Sequence, residues 1–322
     1  MRVVSITCVK NESDIIEAFI RHTATVVDHL VVLDNGSTDE TRDILEALQR
    51  TGFPLHIVDD PSPGYWQWMR MTRLMHEFAV ARYEASWILP LDVDEFVVTT
   101  GPELRDLLGP PTGQPRSILW RTYVPDPADQ PDELNPARRI RYRLAEEATP
   151  RENIIVPDQL AKRRDVTITQ GNHALWMDGH RVKPHPIEGA YLAHIPVRSP
   201  AQFASKIAIG YLQYLAMCER EDRWGWHYEA PYELLKSDPV TFAENVREAA
   251  LRFAVPAESD FVPETVIDPI PYRGDELSFT PTSKEEGQTF RAILEYAENL
   301  ARQYAEQCKR LSSIFKNKDD SK

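Results

Sequence analysis

The stretch Trp87-Ile88-Leu89-Pro90-Leu91-Asp92-Val93-Asp94-Glu95-Phe96 decides how this chain is read. An apolar run stops abruptly at two carboxylates separated by one residue, with a third directly behind them. That pattern describes a buried strand whose C-terminal end opens into a site. Carboxylates there are costly unless something binds them. A hard divalent cation prefers their oxygens, and such a cation would in turn hold phosphates. Pro90 is awkward in a central strand because it removes a ladder donor, so the strand needs a bulge or an unpaired position at that point.

Working outward, the flanking sequence alternates strand and helix signals. Val3 to Val9 is a β-rich run that ends at Lys10-Asn11-Glu12. Ile15, Ile16, Phe19, Ile20, Thr23, Val26 and Val27 form a helical stripe. Leu30 to Leu33 is a second strand, stopped by Asp34-Asn35-Gly36. Ser37 and Glu40 have capping-box spacing for a helix with Ile44, Leu45 and Leu48 on its buried face and Gly52 at its C-cap. Leu55 to Val58 is a third strand, Trp66 to Tyr83 a long helix, and Ser86 to Leu91 the fourth strand. This order predicts an α/β fold with a doubly wound, mostly parallel sheet. Ligands bind such sheets at the C-terminal strand ends. Lys10-Asn11-Glu12, Asp34-Asn35 and Asp92-Val93-Asp94 all fall there, so three strands direct polar residues to one edge.

Residues 101–160 lose this regularity. They are proline-rich, carry the basic run from Arg138 to Arg143, and are expected to form an excursion over one side of the site. Strand signals return at Val166 to Ile168 and Tyr191 to Ile195. From Ser199 the pattern is mostly helical, and a last helix is expected to begin at a capping box of Ser283 and Glu286. The expected division is a domain over 1–215, with a nucleotide-binding half (1–100) and an acceptor half (101–215), followed by a helical region over 216–322.

Composition narrows the function. The chain has 322 residues and a net charge of −13, which argues against nucleic-acid binding. Three widely spaced cysteines offer neither a disulfide framework nor zinc spacing. No window reaches the ~18 apolar residues of a spanning helix. A cytoplasmic protein is expected, with peripheral membrane contact and a homodimer left open.

Three segments carry a resemblance: VKNESDIIEAFIRH (Val9 to His22), LDNGSTDETRDIL (Leu33 to Leu45) and LDVDEF (Leu91 to Phe96). In this order and spacing the chain resembles the GT-A fold glycosyltransferases of family 2. The stretches Gly64 to Ala79, Gly171 to Leu175 and Leu192 to Ile207 resemble a bacterial subgroup with a DVDEF motif. The resemblance implies a GT-A domain with a helical C-terminal extension. It implies transfer of a sugar, with inversion, from a nucleotide-sugar donor, UDP-linked by expectation, to a hydroxyl of a glycan, lipid-linked or small-molecule acceptor. By position it places Glu12, Asp34 and Asn35 near the base and ribose, and Asp92 at the ribose and a Mn²⁺ or Mg²⁺ ion. Asp94 and His194 would complete the metal ligands. Arg73, Arg198 and Lys206 would meet the diphosphate. For the acceptor base, His173, Glu95 and Asp178 are the candidates.

The chemistry agrees with that assignment. Breaking a glycosyl–phosphate bond leaves charge on a diphosphate, which a carboxylate-held cation and nearby Arg or Lys neutralise. A positioned Asp, Glu or His removes the acceptor proton in an inverting enzyme. Two other functions compete. A haloacid-dehalogenase-type phosphatase also ends a strand in DxD, but wants Thr or Val where Phe96 stands and places the motif on an early strand. A degenerate transferase fold would bind sugars or nucleotides without catalysis. The aromatic cluster Trp224 to Tyr228 is read either as sugar stacking or as core packing.

Overall fold

The computed structural model describes residues 1–217, 226–253, 255, 259–281 and 286–319. In chain order the N-terminal half contains β1 (Val3–Val9), α1 (Ile16–Thr23), β2 (His29–Asp34), α2 (Thr41–Arg50), β3 (Leu55–Asp59), α3 (Gln67–Arg73), β4 (Trp87–Pro90), β5 (Glu95–Thr99), α4 (Leu104–Leu108), β6 (Arg116–Val124), α5 (Pro136–Arg139), β7 (Tyr142–Leu144), β8 (Glu152–Pro157) and α6 (Asp158–Ala161). There follow β9 (Thr167–Ile168), β10 (Leu175–Met177), β11 (His180–Val182), β12 (His185–His194), α7 (Pro200–Leu215), α8 (Trp226–Ser237), α9 (Pro239–Glu244), α10 (Val246–Leu251), β13 (Thr265–Ile267) and α11 (Glu286–Asp319).

Among the described residues the strands form a ten-stranded sheet, with β9, β10 and β11 in a small separate one. The parallel part runs in the order β3-β2-β1-β4. Its strands are buried on both faces. In β2, Leu30 and Val32 join a core packed against α1 and α2, while Val31 and Leu33 join a second core under α3. This two-sided burial is why the strands read as unbroken apolar runs. From β4 the sheet continues through antiparallel β8 and β6, and β12 joins β6 in parallel and β5 in antiparallel.

Pro90 sits where its missing donor does no harm. The Leu91 N–H donates to Ile6 O on the β1 side at 3.0 Å. On the other side, pairing with β8 ends at Ile88. The proline is paired in register with Ile6 of β1, without a bulge, and only its side toward β8 is unpaired.

Several local expectations are corrected. Residues 101–160 are not an excursion: they supply β6, β7 and β8 of the main sheet. The short strands and their prolines masked the period. Ser37 does not cap α2, which begins at Thr41; its hydroxyl instead donates to Asp34 Oδ1 at 2.6 Å, and Asp39 Oδ1 accepts from the Thr41 N–H at 3.0 Å. The long helix after Gly64 is α3 running directly into π-helical turns over Leu74–Val80. The basic run fastens a later segment: Arg143 pairs with Asp268 at 2.7 Å and Arg138 with Glu276. The Ser283 cap lies outside the described residues, as do Trp224 and Gly225, while Tyr228 is buried in a cluster with α7 and α9 residues. No helix is long and apolar enough to cross a membrane among the described residues.

Glu17 ties the segment after Arg273 to α1. Its buried carboxylate accepts from the N–H groups of Ser278, Phe279 and Thr280, at 2.7, 2.8 and 2.7 Å, and from Arg21. Burial works to raise its pKa, but these donors outweigh it and hold the carboxyl below the ordinary range. The stabilisation is therefore complete above the unfolded value of about 4.3 and is lost as pH falls through the lower native value. Glu17→Gln is expected to lower stability at neutral pH by about 2 kcal/mol, since it turns a donor toward donors. Urea unfolding at several pH values should show the gap between wild type and variant closing below pH ~4.

Candidate functional site

At the C-terminal ends of β1, β2 and β4 lies a cavity of about 150 Å³. Glu12, Asn35, Asp92, Asp94 and Lys206, all expected in the site, line it together with Lys10, Arg70 and Tyr65. Its other wall is α7. Gln202, Ser205, Lys206, Ile209, Gly210 and Gln213 face the cavity at helical spacing. Ser199 caps that helix by accepting from the Gln202 N–H at 3.1 Å, with Pro200 in its first turn. Gly210 is required there, because a Cβ would come within 2.8 Å of the Tyr228 ring.

The acidic turn is held from behind. Glu95 Oε2 accepts from the Asp92 N–H at 2.8 Å and from Asn153 Nδ2 at 2.7 Å, and Trp120 Nε1 donates to Asn153 Oδ1 at 3.1 Å. Burial, reinforced by the Asp92 charge, pushes the Glu95 carboxyl well above its usual range. It is fully buried and braces the turn from the interior, where it has no access to an acceptor.

Asp92 and Asp94 differ sharply. Asp92 Oδ1 accepts from Gln67 Nε2 at 2.7 Å and Asn172 Nδ2 at 3.0 Å. Burial and the neighbouring Asp94 push it up to about 7. Burial also opposes ionisation of Asp94, but the Lys206 ammonium, 2.6 Å from Oδ2, outweighs it and holds this carboxyl down at about 2. The other oxygen, Oδ1, is 3.9 Å from His194 Nε2. Burial pushes the His194 imidazole down to about 3, so the ring is neutral, and its Nδ1 is buried without a hydrogen-bond partner. The ring packs on Trp120 with centroids 4.1 Å apart.

Other expected site residues are placed differently. Arg198 is buried with no exposed side-chain surface. Its Nε donates to Asp14 Oδ2 at 2.7 Å, one terminal nitrogen reaches Asp14 Oδ1 at 3.0 Å and also Glu12, and the other reaches Ile195 O. Burial works against the guanidinium charge, and the Asp14 and Glu12 carboxylates outweigh it. Its donors are consumed inside the protein, so it orders Glu12 and is not presented to a phosphate. Asp34 is turned away: its Oδ1 accepts from the Ser37 N–H at 2.9 Å, the local turn that short acids form at strand ends. Asn35 keeps its place on the cavity, but its carboxamide is spent, donating to Asp60 O and Ser62 O and accepting from Gln213 Nε2. Arg73 is exposed and pairs with Glu77 one turn on, outside the cavity. Asp178 is exposed beside Arg163, in the turn between β10 and β11. His173 stands behind Trp120, outside the cavity lining, with Nδ1 3.0 Å from Glu152 O and burial lowering its pKa.

Arg70 occupies the position expected for Arg73. It lies on the same helical face as buried Leu74, while Arg73 has Glu77 four residues on, and that spacing was legible in the sequence. Its guanidinium reaches Asp60 Oδ2 at 3.2 Å and Gly64 O at 3.1 Å. Lys10 was not singled out either. Its ammonium donates to Asn35 O at 2.6 Å and Gly36 O at 2.8 Å, beneath the Tyr296 ring of α11. Helix α11 thus closes the Asn35 end of the cavity, a contact from far along the chain that no local pattern announces.

The first third of the sequence, residues 5–108, matches the family model described as glycosyl transferase family 2. The matched residues carry β1 to β5 and the acidic turn, and with the sheet described above the fold is of the GT-A type. No curated protein matches the chain. Among solved structures, it is similar to the mannosyltransferase PcManGT from Pyrobaculum calidifontis in complex with GDP-Man and Mn²⁺, at 16% identity over 80% of this chain and 76% of that one, with a TM-score of 0.36. It is also similar to glucosyl-3-phosphoglycerate synthase from Mycobacterium tuberculosis in complex with phosphoglyceric acid, at 23% identity over 30% of this chain and 34% of that one, with a TM-score of 0.22. HddC from Yersinia pseudotuberculosis shares 12% identity over 61% of this chain and 95% of its own, with a TM-score of 0.33.

Removing Arg198 should leave two carboxylates buried without their partner. Arg198→Met is expected to cost about 3–5 kcal/mol of stability, read as a lower urea midpoint at unchanged m-value.

Proposed function

We propose that this chain is a metal-dependent glycosyltransferase that binds a nucleoside-diphosphate sugar in the cavity between the β1, β2 and β4 ends and α7, and that Asp94 is its principal metal ligand. The observation that carries this reading is the setting of Asp94: ionised, with Lys206 on one oxygen and a neutral imidazole near the other.

The donor set suits a small divalent cation. A separation of 3.9 Å between Asp94 Oδ1 and His194 Nε2 is too long for a hydrogen bond. It exceeds the roughly 3.0 Å between adjacent ligands of an octahedral ion at about 2.1 Å, so the two side chains would close on the ion as it binds. Nε2 keeps a lone pair toward Asp94 in the tautomer that carries its proton on the unpartnered Nδ1. Asp92, on the same turn, spends one oxygen on Gln67 and Asn172 and does not complete a set of three with Asp94 and His194 as the site stands. Among the described residues no three acidic, histidine or cysteine side chains already form a complete ligand set, so diphosphate oxygens and water would fill the remainder. The ion would supply Lewis-acid neutralisation of the leaving diphosphate.

The protein's own groups account for the rest. Lys206 and Arg70 place positive charge on the cavity wall where the diphosphate would lie. Buried Glu95 and Asn153 fix the turn, so the carboxylates are in place before binding. None of the three candidate bases lines the cavity: His173 stands behind Trp120, Glu95 lies in the interior and Asp178 is exposed beside Arg163.

The test is ligand-induced thermal stabilisation. With Mn²⁺ present, one of UDP, GDP or dTDP at about 100 times its Kd should add about 2.7 kcal/mol, a shift of several degrees. Asp94→Asn should abolish the shift. A chain that responds to none of these nucleotides, with or without Mn²⁺, would not fit this function.

A further inference from the structure

Each carboxylate at the cavity is already matched by a protein group. Glu12 is paired with Arg198, Asp92 accepts from Gln67 and Asn172, and Asp94 holds Lys206. Three cations line the cavity, and two of them are fixed elsewhere. Lys10 is held by two carbonyls, and Arg70 by Asp60 and two more. Lys206 alone among them sits on the acidic turn. It combines a 2.6 Å contact to Asp94 Oδ2 with a looser one of 3.2 Å to Pro196 O. It rises from the cavity face of α7 on a flexible four-carbon stem.

Resting on the proposed metal and diphosphate reading, we propose that Lys206 is the resident counter-ion of Asp94, which a divalent cation must displace and which the donor's diphosphate draws away. The argument is charge balance in a poorly solvated site. Lys206 and Asp94 cancel, so a doubly charged ion arriving alone meets an ammonium a few ångströms away and has to compete with it for the Asp94 carboxylate. A diphosphate brings the missing negative charge and gives the ammonium another anionic partner within reach. Asp94 Oδ2 is then released. Metal and diphosphate consequently bind together, each strengthening the other by the same factor. Lys206 is thus a positioning residue that makes occupancy of the metal site depend on the donor.

Mn²⁺ binding to the full chain, followed by loss of the free-ion electron paramagnetic resonance signal, tests this. The titrations use wild type, Lys206→Met, Lys206→Arg and Asp94→Asn, each with and without UDP or GDP, and circular dichroism verifies folding. In wild type the effective diphosphate should strengthen Mn²⁺ binding by about tenfold or more. Lys206→Met should bind Mn²⁺ alone about tenfold more tightly than wild type and lose most of the dependence on diphosphate. Lys206→Arg, which keeps the charge, should retain that dependence. Equal Mn²⁺ affinities for wild type and Lys206→Met without nucleotide would overturn the counter-ion role and leave the metal site standing. No Mn²⁺ binding by any folded variant, even with each diphosphate, would instead overturn the metal site on which the role rests.

Discussion

Acidic side chains buried at one end of a parallel sheet are the constraint on which this structure turns. Glu12, Asp92, Asp94 and Glu95 are brought together because the strands that carry them, or lead into them, are driven into the core by apolar burial on both faces. The desolvation of those carboxylates has to be offset, and each one is offset differently. Arg198 is shared by Glu12 and Asp14, Lys206 neutralises Asp94, amide donors support Asp92, and the Asp92 N–H and Asn153 donate to Glu95. The same set of compensations yields one firmly ionised group, Asp94, and one poised near neutrality, Asp92.

The compensating cations come from α7 and the segment just before it. Arg198 and Lys206 follow β12 directly, and β12 is fixed by pairing with both β5 and β6. The second half of the sheet therefore does more than extend the fold. It delivers counter-charge and the His194 ring to the acidic turn, while α8 to α10 pack behind α7 and hold its cavity face in place.

How much was legible follows from the range of each interaction. The β1–α1–β2–α2–β3 run is readable because burial on both faces leaves continuous apolar strands and periodic helices. Gly52, with a φ of 97°, confirms a stop that composition alone announced. Asp92, Asp94 and Lys206 were readable as cavity residues for the same reason: strand ends and one helix face locate them. The i, i+4 partner Glu77 marks Arg73 as a surface residue and leaves the cavity face of that helix to Arg70. Arg198 and Asp34 look identical in sequence to ligand-binding residues. What separates them is a hydrogen-bond partner, which for Arg198 lies on β1's distant loop at Asp14. The strands β6 to β8 went unread because they are short, antiparallel and broken by prolines.

The sequence by itself determined that apolar strands alternate with amphipathic helices and that acids cluster at their ends, since both follow from local periodicity and the cost of burying charge. Only the tertiary structure decided which acid is ionised, which basic residue faces the cavity, and that α11 closes its far end. Those outcomes depend on distances of a few ångströms between groups up to hundreds of residues apart, and Coulombic and hydrogen-bond energies are set by such distances and not by order along the chain.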